Sequence, residues 1–143
     1  MVLDLFLRTS IPKEIPKEVQ AAVNYVNKAK DQMSALRKAH RILTKKFYGA
    51  SLPTYPLIHR VLFKDLNYLW HQKGFMHCTN FNYLLRVLLS KSKFFKDEDF
   101  ELKWCLHYII SPHQYLLVKI KDKKIPVDAW AYHLDIDIGD YAH

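Results

Sequence analysis

Glycine is scarce in this chain, three in 143 residues, so no glycine-rich loop is available to cradle a phosphate and no cofactor is expected. Cysteine is rarer still. Cys78 and Cys105 are too few for a disulfide framework, and in a reducing cytosol both would stay as thiols. No apolar run reaches the length of a membrane span. The apolar stretch Met1 to Leu7 holds Asp4, lacks a basic leader and meets Arg8 without a small-residue cleavage site, so a cytoplasmic location is expected. Acids are also in the minority: 14 Asp and Glu against 22 Lys and Arg give a net charge of +8, which favours polyanionic neighbours.

What is present is a globular composition. Half of the residues are hydrophobic and 14% are aromatic, and residues 1–143 fit one domain able to bury its own core. Residues 1–16, with Pro12 and Pro16, read as an irregular lead-in. From 17 to 47 the apolar positions Val19, Ala22, Val26, Ala29, Met33, Leu36, Leu43 and Phe47 follow the spacing of one long amphipathic helix, with Gly49 as its stop. His40 lies in that stripe and reads as a packed helix residue. The other side is basic, with Lys38, Arg41 and Lys45 among its residues, and reads first as a solvated face. Residues 57–132 form the expected core: helices over 57–72 and 78–89, a charged connection over 91–101, and strands near 102–110, 113–120 and 125–131. Helices followed by antiparallel strands predict an α+β domain, with N-terminal helices packed on a small C-terminal antiparallel sheet.

Three residues within that core carry chemistry. Cys78 opens an apolar helical run, where unpaired N–H groups and the positive end of the helix dipole favour a thiolate. His113 begins one strand, and Asp128 lies near the end of the next. Cys105, inside a strand-like run, reads as an inert thiol.

Strand parity joins the last two. Facing positions in an antiparallel pair sum to a constant, and side chains alternate faces. A loop of two residues, Lys121 and Asp122, sets Asp128 opposite Tyr115; a loop of four sets it opposite Leu117. Either puts Asp128 on the face of His113. Only the two-residue loop makes them diagonal neighbours, roughly 7–8 Å apart at the backbone.

The order of a Cys at a helix start, a His starting one strand and an Asp near the end of the next resembles the transglutaminase-like superfamily, which shares its core with papain-like thiol proteases. The run from His113 through Trp130 is similar to that family's His-to-Asp hairpin, and the resemblance covers about residues 60–132. Family members often carry Gly two positions before the nucleophile, whereas Gly74 here is four before it and His77 is adjacent. The resemblance implies a papain-like core and a thiol enzyme of acyl transfer acting on a protein, peptide or small amide. Cys78 would be the nucleophile, His113 the proton carrier and Asp128 the group that orients the ring. The Cys78 N–H is one oxyanion donor by position. For the second, papain-like enzymes use a Gln six positions before the nucleophile, which is Gln72, and some transglutaminases use an upstream aromatic, for which Trp70 is the nearest match. Phe75 and Trp130 are candidates for an apolar approach to the thiol.

Other chemistries fit less well. His77, Cys78, Cys105 and His107 match no common zinc spacing, and the C-terminal acids lack a calcium-loop pattern, so no metal is expected. An acetyl transferase with the same triad would need an acyl-CoA pocket, for which the chain is short. The alternative from a different class is an inactive papain-like scaffold whose basic helix, through Lys38, Arg41 and Lys45, binds an acidic protein or nucleic acid.

Overall fold

The computed structural model describes residues 8–50, 53, 56–57 and 65–143. The expected lead-in and the helix over 57–72 therefore lie partly outside the described residues. In chain order the elements are α1 (Lys17–Val26), α2 (Gln32–Lys46), β1 (Phe47–Tyr48), α3 (Leu66–His71), β2 (Gly74–Phe75), α4 (Cys78–Lys91), β3 (Phe100–His107), β4 (Ser111–Ile120) and β5 (Lys123–Val127). Short 3-10 turns cover Asp97–Asp99 and Ala129–Leu134. The class is α+β: helices first, then a three-stranded antiparallel sheet in the order β3-β4-β5.

Helix α4 is the centre of the domain. Every residue from Thr79 to Leu89 is buried, because apolar side chains occupy all sides of it. Phe81, Leu84, Leu85 and Leu88 share one core cluster with Leu116, Val118 and Val127 of the sheet and with Val23, Leu36 and Leu43 of α1 and α2. Truncating one of these leucines to alanine costs about 2–5 kcal/mol. A single buried cation interrupts the helix: the Arg86 guanidinium donates to both Asp97 carboxylate oxygens at 2.9 and 3.2 Å and to the Thr9 carbonyl at 2.9 Å. That tie holds the connection after α4 against the core, where Phe95 and Phe100 are also buried. The connection is more than the solvated loop its charges suggest.

The single helix expected over 17–47 is two. Helix α1 ends at Val26, and α2 starts afresh at Asp31, whose carboxylate accepts from the Ser34 N–H at 2.7 Å in a capping box. The apolar spacing runs on through the break because Ala29, in the connection, is itself buried. Gly49 is not the helix stop either, since α2 already gives way to extended backbone at Phe47. Its role is close approach: a β-carbon there would lie 2.1 Å from the Trp130 carbonyl oxygen and 2.5 Å from the Trp130 ring.

Two strand ends also differ from expectation. Strand β3 stops at His107, and Tyr108 to Ile110 form a three-residue turn to Ser111 despite their strand-favouring side chains. Strand β5 stops at Val127, because the Asp128 carboxylate caps the following turn through the Ala131 N–H at 3.3 Å.

Candidate active site

Cys78 is the first residue of α4, so its N–H belongs to the first turn, whose donors have no carbonyl one turn back. The segment leading into it is fixed by pairing. β1 and β2 run parallel, with Phe47 beside Gly74 and Tyr48 beside Phe75, and the Met76 N–H donates to the Tyr48 carbonyl at 3.0 Å. Gly74 has φ +78°, a conformation that side chains rarely adopt, and a β-carbon there would lie 3.2 Å from the Tyr48 ring. The glycine four positions before the cysteine thus makes the turn that brings the chain to the helix start. His77 is engaged: its Nε2 lies 2.8 Å from the Leu57 carbonyl, and its ring meets Phe75 edge-on.

His113 comes from β4. Its neighbour Gln114 is held from α4, since the Asn82 side-chain amide donates to the Gln114 carbonyl at 2.9 Å and to its Oε1 at 3.1 Å. Asn82 is one helical turn beyond Cys78 on the same face of α4, so this strut sets the height of the thiol against the imidazole.

The β4–β5 loop has two residues, Lys121 and Asp122: Ile120 pairs with Lys123 and Leu116 with Val127. Asp128 therefore follows the position opposite Leu116 and lies diagonal to His113. His113 Nε2 and Asp128 Oδ2 are 2.6 Å apart, with both side chains buried. The ring's other nitrogen, Nδ1, remains for the Cys78 thiol, which lines the same small cavity as His113. Burial alone would lower the His113 pKa. The hydrogen bond to Asp128, with the adjoining Cys78 and the carboxylate charge, outweighs burial and pushes it up to about 9. His113 is an imidazolium at neutral pH.

Asp128 is tied down from several sides. Its Oδ2 also accepts the Ala142 N–H at 2.9 Å, so the segment before His143 crosses under the carboxylate. The Cys105 thiol, opposite His113 in the sheet, donates to the Ala142 carbonyl at 3.2 Å. Burial and the neighbouring Asp128 and Cys78 charges raise the Cys105 pKa, which keeps this second thiol protonated.

Cys78 and His113 line a cavity of about 30 Å³ together with His77, His107, Ser111, Pro112 and Trp130. Such a space holds about one water or one carbonyl oxygen. Trp130 is a wall of this site, its ring 4.7 Å from that of His113. Phe75 is buried against Tyr48 and His77. The two upstream oxyanion candidates do not line this cavity. Gln72 caps α3 and faces a separate groove with Asp65, Tyr68 and His71; Trp70 is buried under the Lys46 ammonium. Sequence reasoning missed Asn82 and weighed His107 only as a metal ligand, since no spacing rule ties either to Cys78 or His113.

A larger groove, about 470 Å³, lies between α2 and the C-terminal segment and is lined by Arg37, His40, Arg41 and Asp137 among others. It shares no lining residue with the thiol cavity. Arg41 and Lys45 are exposed on α2, and Lys38 rests its ammonium 4.2 Å from the centre of the Tyr25 ring. Among the described residues no cluster of His, Cys, Asp or Glu could hold a metal ion, and no helix is long and apolar enough to cross a membrane.

No protein-family model matches the chain, and no curated protein or solved structure matches it either.

Proposed function

We propose that this chain is a thiol enzyme of acyl transfer with a transglutaminase-like core, acting on an amide through Cys78, His113 and Asp128. The observation that carries the reading is the buried His113 ring, 2.6 Å from the Asp128 carboxylate and on the wall of one small cavity with a thiol at a helix start. Inert structural cysteines have no such partner.

In this mechanism the Cys78 thiolate attacks the carbonyl carbon, a C–S bond forms, and the carbonyl π pair moves to oxygen. The tetrahedral adduct collapses with loss of the C–N bond, and the His113 proton goes to the departing amine. The thioester then accepts water or an amine. His113 removes the acceptor's proton, the C–S bond breaks, and the thiolate–imidazolium pair is restored. Asp128 keeps the ring oriented and stabilises its charge throughout. The reading belongs to a reducing, cytoplasmic setting, where both thiols stay free.

A p-nitrophenyl ester tests the reading. The expected result is a burst of nitrophenol and an acyl adduct on Cys78 by peptide mass, both absent from Cys78→Ala. An added amine that speeds turnover identifies transamidation. A protein that forms no adduct is not this enzyme.

The basic row of exposed Arg41 and Lys45 with half-buried Lys38 on α2 supports a second reading: a scaffold that contacts an acidic protein or nucleic acid. It requires a salt-sensitive affinity lost on reversing those three charges.

A further inference from the structure

The turn between β3 and β4 stands at the mouth of the thiol cavity. His107 closes β3, Ser111 opens β4, and both line the cavity with Cys78. Between them the chain exposes an uninterrupted apolar tip: Tyr108 is 65% exposed, Ile109 84% and Ile110 80%, with Leu106 beside them at 57%. Single exposed apolar residues are ordinary, but three in succession at the tip of one turn beside a nucleophile are not. Tyr108 and Ile109 also hold left-handed backbone, with φ of 51° and 72°. A β-branched residue seldom adopts that conformation, so Ile109 is displayed to solvent by a turn that its own side chain disfavours.

His107 is the second observation. The residue is only 6% exposed, and neither ring nitrogen has a hydrogen-bond partner among the described residues. Its ring lies under Tyr108 at 3.9 Å, 5.5 Å from Trp130 and 5.9 Å from His113. A polar ring buried without partners, on the wall of a cavity sized for one oxygen atom, lacks the acceptor it is built to meet. Burial and the adjacent His113 charge lower its pKa, so it is a neutral imidazole with one N–H to give.

We infer that the β3–β4 turn is the substrate subsite of the Cys78 thiol: it takes a peptide whose scissile carbonyl belongs to an apolar residue. That side chain lies on Tyr108, Ile109 and Ile110, and the carbonyl oxygen accepts the His107 N–H. Among the described residues the cavity of about 30 Å³ is too small for a long acyl chain, whereas the lip matches a single amino-acid side chain. His107 supplies the second donor that the oxyanion needs beside the Cys78 N–H, and no net proton transfer is asked of it. The inference rests on the acyl-transfer reading above.

Acylation of Cys78 by p-nitrophenyl esters of N-acetylglycine, N-acetylalanine and N-acetylleucine tests both, with iodoacetamide alkylation, which forms no oxyanion, as the control. The wild-type protein is expected to react about tenfold faster with the leucine ester than with the glycine ester, from partial burial of the added methylenes. The Ile109→Ser, Ile110→Ser double variant, altered only at exposed positions, loses that preference. His107→Phe slows acylation by all three esters about 100-fold, and His107→Gln, which keeps an N–H donor, recovers part of it. Iodoacetamide labelling stays unchanged in every variant. Acylation indifferent to the side chain and to these variants overturns the inference and leaves the acyl-transfer reading standing. Parallel loss of iodoacetamide labelling in both His107 variants makes His107 structural and overturns its donor role. Binding to anionic vesicles that depends on Ile109 and Ile110, with no ester preference, makes the tip a membrane contact instead. A wild-type protein acylated by no ester removes both readings together.

Discussion

His113 Nε2 and Asp128 Oδ2 lie 2.6 Å apart across the β4–β5 hairpin, and both side chains are buried. This contact turns a histidine that burial alone would neutralise into a cation, and most of the expected behaviour of the site follows from it.

Stability should depend on pH through this pair. The folded His113 holds its proton up to about pH 9, against an ordinary value of 6.5. The resulting stabilisation is complete below pH 6.5 and is lost as the pH rises through 9. A loss on the order of a few kcal/mol is expected across that window. Denaturant melts of the wild-type protein over this range should show the decline, and His113→Gln should flatten it.

Asp128→Asn keeps an oxygen for the Ala131 N–H but removes the charge. Acylation of Cys78 should fall by about 10²–10⁴-fold, and the imidazole pKa followed by NMR should drop from about 9. Asp128→Ala also loses the cap of the following turn, at a further cost of about 1–2 kcal/mol.

Asn82→Ala removes both hydrogen bonds of the strut to Gln114, costing about 1–3 kcal/mol. If the strut also sets the distance from thiol to imidazole, acylation by an ester falls at least about tenfold under conditions where the variant is fully folded. Unchanged acylation would restrict Asn82 to stability.

Gly49→Ala places a methyl group against the Trp130 carbonyl and ring. Overpacking of this kind costs about 1–3 kcal/mol. Because the tilted Trp130 ring packs against His113 at 4.7 Å, the variant should also slow acylation, which a melt and a burst assay on the same sample would show.

The α+β class and the His–Asp half of the site were legible because they rest on periodicity. Alternation along β4 and β5 fixes which residues share a face, and the parity of a short loop does the rest. Even so, the tight turn carries no glycine signal: Lys121 takes φ 56° there. The break between α1 and α2 was hidden because Ala29 continues the apolar stripe across it, and only the Asp31–Ser34 box marks the new start. The turn over 108–110 read as strand because Tyr and Ile favour strands, and a left-handed turn overrode that preference. The Asn82 strut and the burial of His107 depend on how α4 seats against the sheet, which local pattern does not encode.

The central claim is that Cys78 is a nucleophile activated by His113. Its most direct test is the rate of iodoacetamide labelling at Cys78 and Cys105, resolved by peptide mass near neutral pH, in the wild-type protein and in His113→Ala. The account predicts that Cys78 is labelled far faster than Cys105 and that the difference collapses when His113 is removed. Equal, slow labelling of both cysteines in the wild-type protein would contradict it.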